Sequence, residues 1–461
     1  MVNSILHHLS RCLRILVMLP LGVVGLRAAE EPSTAEILQE IRALRARLGA
    51  LEALVEQRVA DDGAAPVASD VPSLAPVAAT PRPVAPAQPA AAMPAPMVRA
   101  PAAPRVALYG YVKADAFYET RDTYVDALPF WACADDATHN NGDGEFGLTA
   151  KESRFGAKID GGDVLGGHLR GQFEFDFYGD LGLSGHHAYT PRTRHALVEW
   201  KGGDWSVLAG QTWETYLVTF PQTVNFTAYN FQGQLGLRRS QVRVTRRMEL
   251  GDERRVTAKF ALAEPLGGVH GADLDGDHQD DAADADMPVL EYNLEYQSPA
   301  LRAAVAGFYG REHLGPIGGF GARDFDAWAV IAGGEIPLGA SFTLRGSVWT
   351  GTNLDSAWGG IGQGINLGRS ETIDATGGWA QLGWAVAPDV SLNFGYSWDN
   401  PDDNALNAGQ RTLNESLLVN GFWNVGSNLT LGLELMQLRT GYKGAATATA
   451  ERVQSMVKFG F

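Results

Sequence analysis

The chain has 461 residues, of which 45% are hydrophobic and 20% charged, with 54 Gly, 23 Pro, 2 Cys and a formal net charge of -16. No apolar run reaches the roughly 20 residues that a membrane-crossing helix needs, which excludes a polytopic helical membrane protein, and the ordinary apolar fraction excludes wholesale disorder. The acidic balance argues against a nucleic-acid partner, which a broadly basic surface would attract.

Arg11 and Arg14 precede the apolar run from Ile15 to Leu26. This is the charged-then-apolar pattern of a secretory signal, expected over residues 1–29. With that segment removed, Cys133 is the only cysteine, leaving no internal disulfide and no cysteine-based metal site.

A helix is expected over residues 33–59. Ser33 with Glu36 fits a capping box, and Ile37, Ile41, Leu44, Leu48, Leu51 and Val55 recur at alternating spacings of four and three. That is the seam of a coiled coil. Glu40 with Arg45, and Arg47 with Glu52, supply opposite charges across a parallel assembly. Three heptads are marginal alone, and the same stripe also suits a single amphipathic helix lying on another surface. Residues 60–104 then collapse to Ala, Pro and Val, a composition that builds no core and forms an extended spacer.

From Arg105 to Phe461 the pattern changes to runs of about ten residues alternating apolar and polar, the signature of strands with lipid on one side and water on the other. Leu169, Phe173, Phe175 and Phe177 alternate with Arg170, Gln172, Glu174 and Asp176. Leu290, Tyr292 and Leu294 alternate with Glu291, Asn293 and Glu295, and Leu392, Phe394 and Tyr396 with Asn393 and Ser397. Val453, Val457, Phe459 and Phe461 alternate with Arg452, Gln454 and Lys458. Seven short turns, from Gly161–Gly167 to Val425–Asn428, alternate with eight loops, among them Arg121–Gly147, Leu217–Leu237, Pro265–Asp286 and Asp355–Thr372. The fold expected is all-β: an antiparallel transmembrane β-barrel of about sixteen strands, with a short N-terminal coiled-coil helix and an Ala/Pro-rich linker. A soluble sandwich does not expose a row of aromatics on strand after strand.

Gly110-Tyr-Val-Lys-Ala-Asp-Ala-Phe-Tyr-Glu-Thr-Arg121 resembles the first strand of the DcaP-like trimeric porins. Ser153-Arg-Phe-Gly156, Arg192-Thr-Arg-His-Ala196 and Gly210-Gln-Thr-Trp213 resemble further blocks of that family in the same order, and Pro221 to Phe226 resembles its inward-folding loop. The likeness covers the front half of the barrel, and the N-terminal coiled coil fits it. It implies a homotrimeric porin of the cell outer membrane that passes small anionic solutes, with dicarboxylates as the family's namesake cargo. The helix would then lie in the periplasm.

A barrel of this size leaves an aqueous lumen, so function resides in the inward-facing charges. With Val242 and Val244 on the lipid side, Arg239, Arg243 and Arg247 occupy alternate inward positions. The same parity turns Lys113, Arg154, Lys158, Arg170, Arg255, Lys259 and Lys458 inward, a basic arc that biases a pore towards anions. Asp115, Glu174, Asp176, Glu291 and Glu295 are expected to oppose that arc. Structural roles, or binding of lipopolysaccharide at the rim, are the alternative for the same arginines. Neither parity gives a clean apolar side around Arg192, Arg194 and His195.

Asp273, Asp275 and Asp277 have the spacing of a calcium loop, but His278 stands where the glycine of that loop belongs and no helix flanks it. A solvated acidic loop is the preferred reading, with no metal and no cofactor. No nucleophile elbow or zinc-binding His-Glu pair is present, so the chain is read as not an enzyme. The other reading carried forward is an envelope tether built from the helix and spacer. Expected partners are outer-membrane lipid and lipopolysaccharide, small anionic solutes, and further copies of the chain.

Overall fold

The computed structural model describes residues 104–125, 127–135, 144–179, 189–265, 267 and 273–461. The signal, the helix with its seam from Ile37 to Val55, and the spacer up to residue 103 lie outside the described residues.

The alternating runs fold as β1 (Arg105–Glu119), β2 (Glu145–Thr149), β3 (Arg154–Val164), β4 (Gly167–Asp176), β5 (Arg192–Gly202), β6 (Trp205–Trp213), β7 (Arg238–Gly251) and β8 (Arg254–Ala263). The second half contains β9 (Val289–Ser298), β10 (Leu301–Leu314), β11 (Arg323–Leu338), β12 (Phe342–Thr352), β13 (Ile365–Asn366), β14 (Glu371–Thr372), β15 (Asp374–Ala387), β16 (Val390–Pro401), β17 (Arg411–Val425), β18 (Leu429–Tyr442) and β19 (Ala445–Gly460). β13 and β14 form a separate two-stranded ribbon inside a loop. The other seventeen strands make one antiparallel sheet that closes where β1 pairs with β19, from Tyr111 opposite Gly460 to Glu119 opposite Arg452. β2 and β3 lie end to end along β1, so the wall is a closed barrel of sixteen staves. At the break between them, the Lys113 N–H donates to Ser153 Oγ at 3.0 Å, which keeps the backbone donor of β1 satisfied where no strand faces it.

The seven short turns fall on one rim and the longer connections on the other, as an up-and-down barrel requires. Along every stave the faces alternate. Val112, Phe173, Val242, Phe260, Leu294, Val348, Leu417 and Val457 are exposed on the outside. Asp115, Glu174, Gln241, Asn293, Ser347, Asn420 and Gln454 are buried on the inside. Aromatic side chains gather on the outer surface near both rims. Trp205, Phe342, Trp384, Trp423 and Phe459 are exposed at the short-turn end, and Tyr118, Phe146, Trp328 and Tyr396 at the other. These are the interfacial girdles of a lipid-embedded barrel. Among the described residues no helix is long and apolar enough to cross a membrane.

The interior is occupied. Parts of the segments 120–135, 214–237 and 353–373 meet there in an aromatic cluster of Phe130, Trp131, Tyr178, Phe231 and Trp358. Phe231 and Trp358 stack at 5.3 Å, and Phe130 meets both edge-on at 5.0 and 5.4 Å.

The closing seam is tight. Gly110 exchanges backbone hydrogen bonds with Phe461 at 3.2 and 3.1 Å, and a Cβ at position 110 would press on the Arg154 carbonyl and come within 2.8 Å of the Phe461 ring. Gly110→Leu is expected to lower barrel stability by ~1–3 kcal/mol through overpacking. The readout is the temperature at which the folded band shifts to the unfolded one on a detergent gel.

Candidate functional site

Segment 214–237 leaves β6 and returns to β7 after crossing the lumen. Left-handed backbone at Ala228, Tyr229, Phe231, Gly233 and Gly236 lets it turn sharply, and polar side chains of the wall meet the backbone groups this exposes. Glu291 accepts from the Thr215 N–H at 2.6 Å, and Asn293 donates to the Thr215 carbonyl at 3.0 Å. Gln381 both accepts from and donates to the backbone of Gln222, each at 2.9 Å. Glu434 accepts from the N–H groups of Val224 and Asn225 at 2.8 and 3.2 Å. Trp349 donates to the Gly233 carbonyl and Asn414 to that of Phe231, both at 2.7 Å. The contacts come from β9, β12, β15, β17 and β18, so the segment is braced across the barrel rather than along one side of it.

The wall facing Phe226 is basic. Opposite Glu174 stands His195, but opposite Phe175 stands Thr193, so β5 holds one extra residue, Arg194, in a bulge. A bulge disrupts the alternation locally, and here Arg192, Arg194 and His195 all lie on the lumen side. This is why neither parity of the sequence fits that stretch. Arg194 is 1% exposed and bridges Glu174 and Asp176, both at 2.7 Å, while Arg192 binds Asp176 at 2.8 Å. Phe226 projects into this group, with the guanidinium carbons of Arg154, Arg192 and Arg194 each 5.5–5.6 Å from its centroid and Tyr178 stacked on it at 5.0 Å. Arg238, buried at the start of β7, lies 4.3 Å over the Trp213 ring.

The structure places Lys113, Arg154, Lys158, Arg170, Arg243, Arg247, Arg255, Lys259 and Lys458 on the inner face, and it divides them by their partners. Lys113 is buried, ion-paired with Glu152 and Asp115, and donates to the Val224 carbonyl at 2.7 Å. Arg170 pairs with Glu199, Arg154 lies 3.8 Å from Glu152, and Arg255 donates to Gln297. Arg239 is not open to the lumen. It is 4% exposed, paired with Glu214 and bonded to the carbonyl of Ser356 at 2.9 Å, so it locks the two inward segments together. No ion pair involves Lys158, Arg238, Arg243, Arg247, Lys259 or Lys458 among the described residues.

The acids do not oppose the basic arc; they lie within it. Asp115 sits 3.2 Å from Lys113, Glu174 and Asp176 are held by Arg194, Glu295 pairs with Arg302 at 2.9 Å, and Glu291 holds Thr215. Alternation fixes which face a side chain is on but not which neighbour it meets. Below the inward segment, Lys113, Glu152, Gln222, Thr223, Met456 and Lys458 line a recess of about 240 Å³. Sequence reading missed Arg238, whose signal was its place beside Arg239 at the end of a loop.

The chain matches no protein-family profile and no curated protein. Among solved structures, it is similar to the outer membrane channel DcaP of Acinetobacter baumannii (TM-score 0.61, 18% identity, over 78% of this chain and 97% of that one). It is also similar to an anion-selective porin from Comamonas acidovorans (0.51, 15%, 78% and 100%) and to the trimer form of OmpT, an outer membrane protein of Vibrio cholerae (0.51, 12%, 78% and 100%). The DcaP-like barrel read from the sequence is the fold observed, one shared with outer-membrane porins.

The inward segment touches the wall backbone at Gly233, whose φ is 126°. A Cβ there would meet the Gly378 carbonyl and lie 2.7 Å from that of Trp398. Gly233→Val is expected to displace the segment and cost ~1–3 kcal/mol. Single-channel recordings should then give larger and noisier conductance steps than the parent protein.

Proposed function

We propose that the chain is an outer-membrane porin that passes small anions, dicarboxylates among them, by passive diffusion. The observation that carries this reading is a group of inward cations without an acid partner among the described residues, which includes Lys158, Arg243, Arg247, Lys259 and Lys458. The acids of the same arc, Asp115, Glu119, Glu152, Glu174, Asp176, Glu199 and Glu214, are engaged in ion pairs. On this arc the groups left without a counter-ion are therefore cations, while Glu291 and Glu434, which also have no cation partner among the described residues, are turned to the inward segment. An arginine can offer a carboxylate two parallel N–H groups, and a succession of weak sites lets an anion exchange part of its hydration at each one and leave. In the recess beside the inward segment, Lys458 is the cation without an acid partner among the described residues, and it supports a shallow, weak site for an anion there.

The lipid-facing girdles support residence in the outer membrane, reached by export under the N-terminal signal. The heptad seam, with the trimeric form of one structural neighbour, supports a homotrimer whose helices lie in the periplasm, joined to the barrels by the Ala/Pro spacer.

In a salt gradient across a planar bilayer, the parent protein is expected to give an anion-selective reversal potential, and dicarboxylates should transiently block its chloride current. Arg243→Glu should lower the anion-to-cation permeability ratio several-fold while leaving the trimer intact. Raising the salt towards 1 M, where the screening length is roughly 3 Å, should blunt the difference. A cation-selective parent channel would refute the assignment.

A further inference from the structure

We propose that the long loop ahead of β9 binds one calcium ion between the carboxylates of Asp273, Asp275 and Asp281. One carboxylate oxygen from each of the three lies within 4.8 Å of the other two. Calcium takes oxygen ligands at about 2.3–2.6 Å, so oxygens on opposite sides of one ion stand about 4.6–5.2 Å apart and neighbouring ones closer. The three side chains are therefore spaced for a common ion rather than for mutual avoidance.

Asp281 supplies the independent sign of a ligand. It is 0% exposed; its Oδ2 accepts from the Leu274 N–H at 2.9 Å, while its Oδ1 meets no hydrogen-bond donor among the described residues. A buried carboxylate oxygen without a partner is costly, and a cation held with Asp273 and Asp275 removes that cost.

The loop backbone orients the other two carboxylates. Gly276 and His278 both adopt left-handed backbone, at φ 78° and 75°. Their N–H groups reach the two oxygens of Asp273 at 2.8 and 3.1 Å. His278 thus takes the conformation for which a calcium loop uses glycine. Asp275 accepts from the Asp277 N–H at 3.1 Å and from the Gly315 N–H just beyond β10. The Asp281 carbonyl accepts from the His313 N–H at 2.7 Å. An ion at this point would staple the loop to the end of β10. Asp277, which the sequence spacing suggests, is not part of the cluster: it accepts from the Gln279 N–H at 2.8 Å, and Asp281 takes its place. An all-oxygen set of irregular geometry on a loop favours calcium over magnesium, which demands a near-ideal octahedron, and over metals that prefer nitrogen or sulfur.

The test is calorimetric titration of calcium chloride into full-length protein refolded in detergent without lipopolysaccharide, after chelator treatment. Hydrogen exchange of the loop amides is followed in parallel. The expected result is one calcium per chain, with a Kd on the order of 10⁻⁴–10⁻³ M as in extracellular modules, and at least tenfold slower exchange at Leu274, Gly276 and His278. Asp281→Asn should weaken binding at least tenfold while Asp277→Asn leaves it unchanged. Asp275→Asn gives the same comparison if the Asp281 variant does not yield a heat-modifiable barrel. Absence of binding at several millimolar calcium, equal affinity for magnesium, or wild-type affinity in the Asp281 and Asp275 variants would overturn the proposal.

Discussion

The interior of this barrel is governed by the hydrogen-bonding demand of a backbone that crosses it. A polypeptide threaded through a lumen carries a donor and an acceptor at nearly every residue, and each one left unmet away from water costs about 1–3 kcal/mol. The wall meets that demand with long, fork-ended side chains: Gln381, Asn414 and Glu434 each hold two or more groups of the inward segments, and Glu291 holds the Thr215 N–H. These residues are conspicuous as buried polar groups in a strand protein, and the crossing segment is what makes their burial tolerable. Because the braces come from widely separated staves, the position of the segment is tied to the shape of the whole ring.

The same economy of charge explains the asymmetry of the lumen. Carboxylates of the staves and of the segments beside them neutralise the cations that hold structure: Lys113 under Val224, Arg194 in the bulge and Arg239 between two segments. Cations such as Arg243, Arg247 and Lys259 are left without an acid partner among the described residues, while Glu291 and Glu434 are spent on backbone. A chain with a net charge of -16 can in this way keep unpaired cations on one arc of its inner wall, since much of its acid content is engaged on the wall or lies on rim loops such as residues 273–286.

Much of this was legible in the alternation of side chains. Period-two patterning is a direct consequence of strand geometry, so the staves, the short turns and the inner position of residues such as Lys259 could be read without coordinates. Pairing could not. Whether Arg239 faces water or Glu214 depends on a loop that returns across the lumen, and whether Glu174 opposes or neutralises the basic arc depends on which staves are neighbours. The stretch from Arg192 to His195 resisted reading for a different reason, since the bulge breaks the only rule available. The aspartates showed both limits. Their spacing pointed to the right loop, but the burial of Asp281 is a property of the packed loop against β10, and local sequence holds no trace of it.

The bulge in β5 bears on how this barrel tolerates changes in chain length. In a two-faced strand, losing one residue inverts every side chain beyond the deletion, sending apolar groups to water and charges to lipid. At Arg194 the strand already carries a surplus residue, so its removal would restore regular pairing between β4 and β5 without inverting Ala196, Val198 and Trp200. A lineage could therefore gain or shed that arginine by a single-codon indel, remodelling the interior at one point while the outer surface kept its phase. Other register irregularities in this wall, such as those at Gly162 and Gly251, lie close to strand ends, whereas this one lies beside Phe226, the residue of the crossing segment that enters the basic cluster.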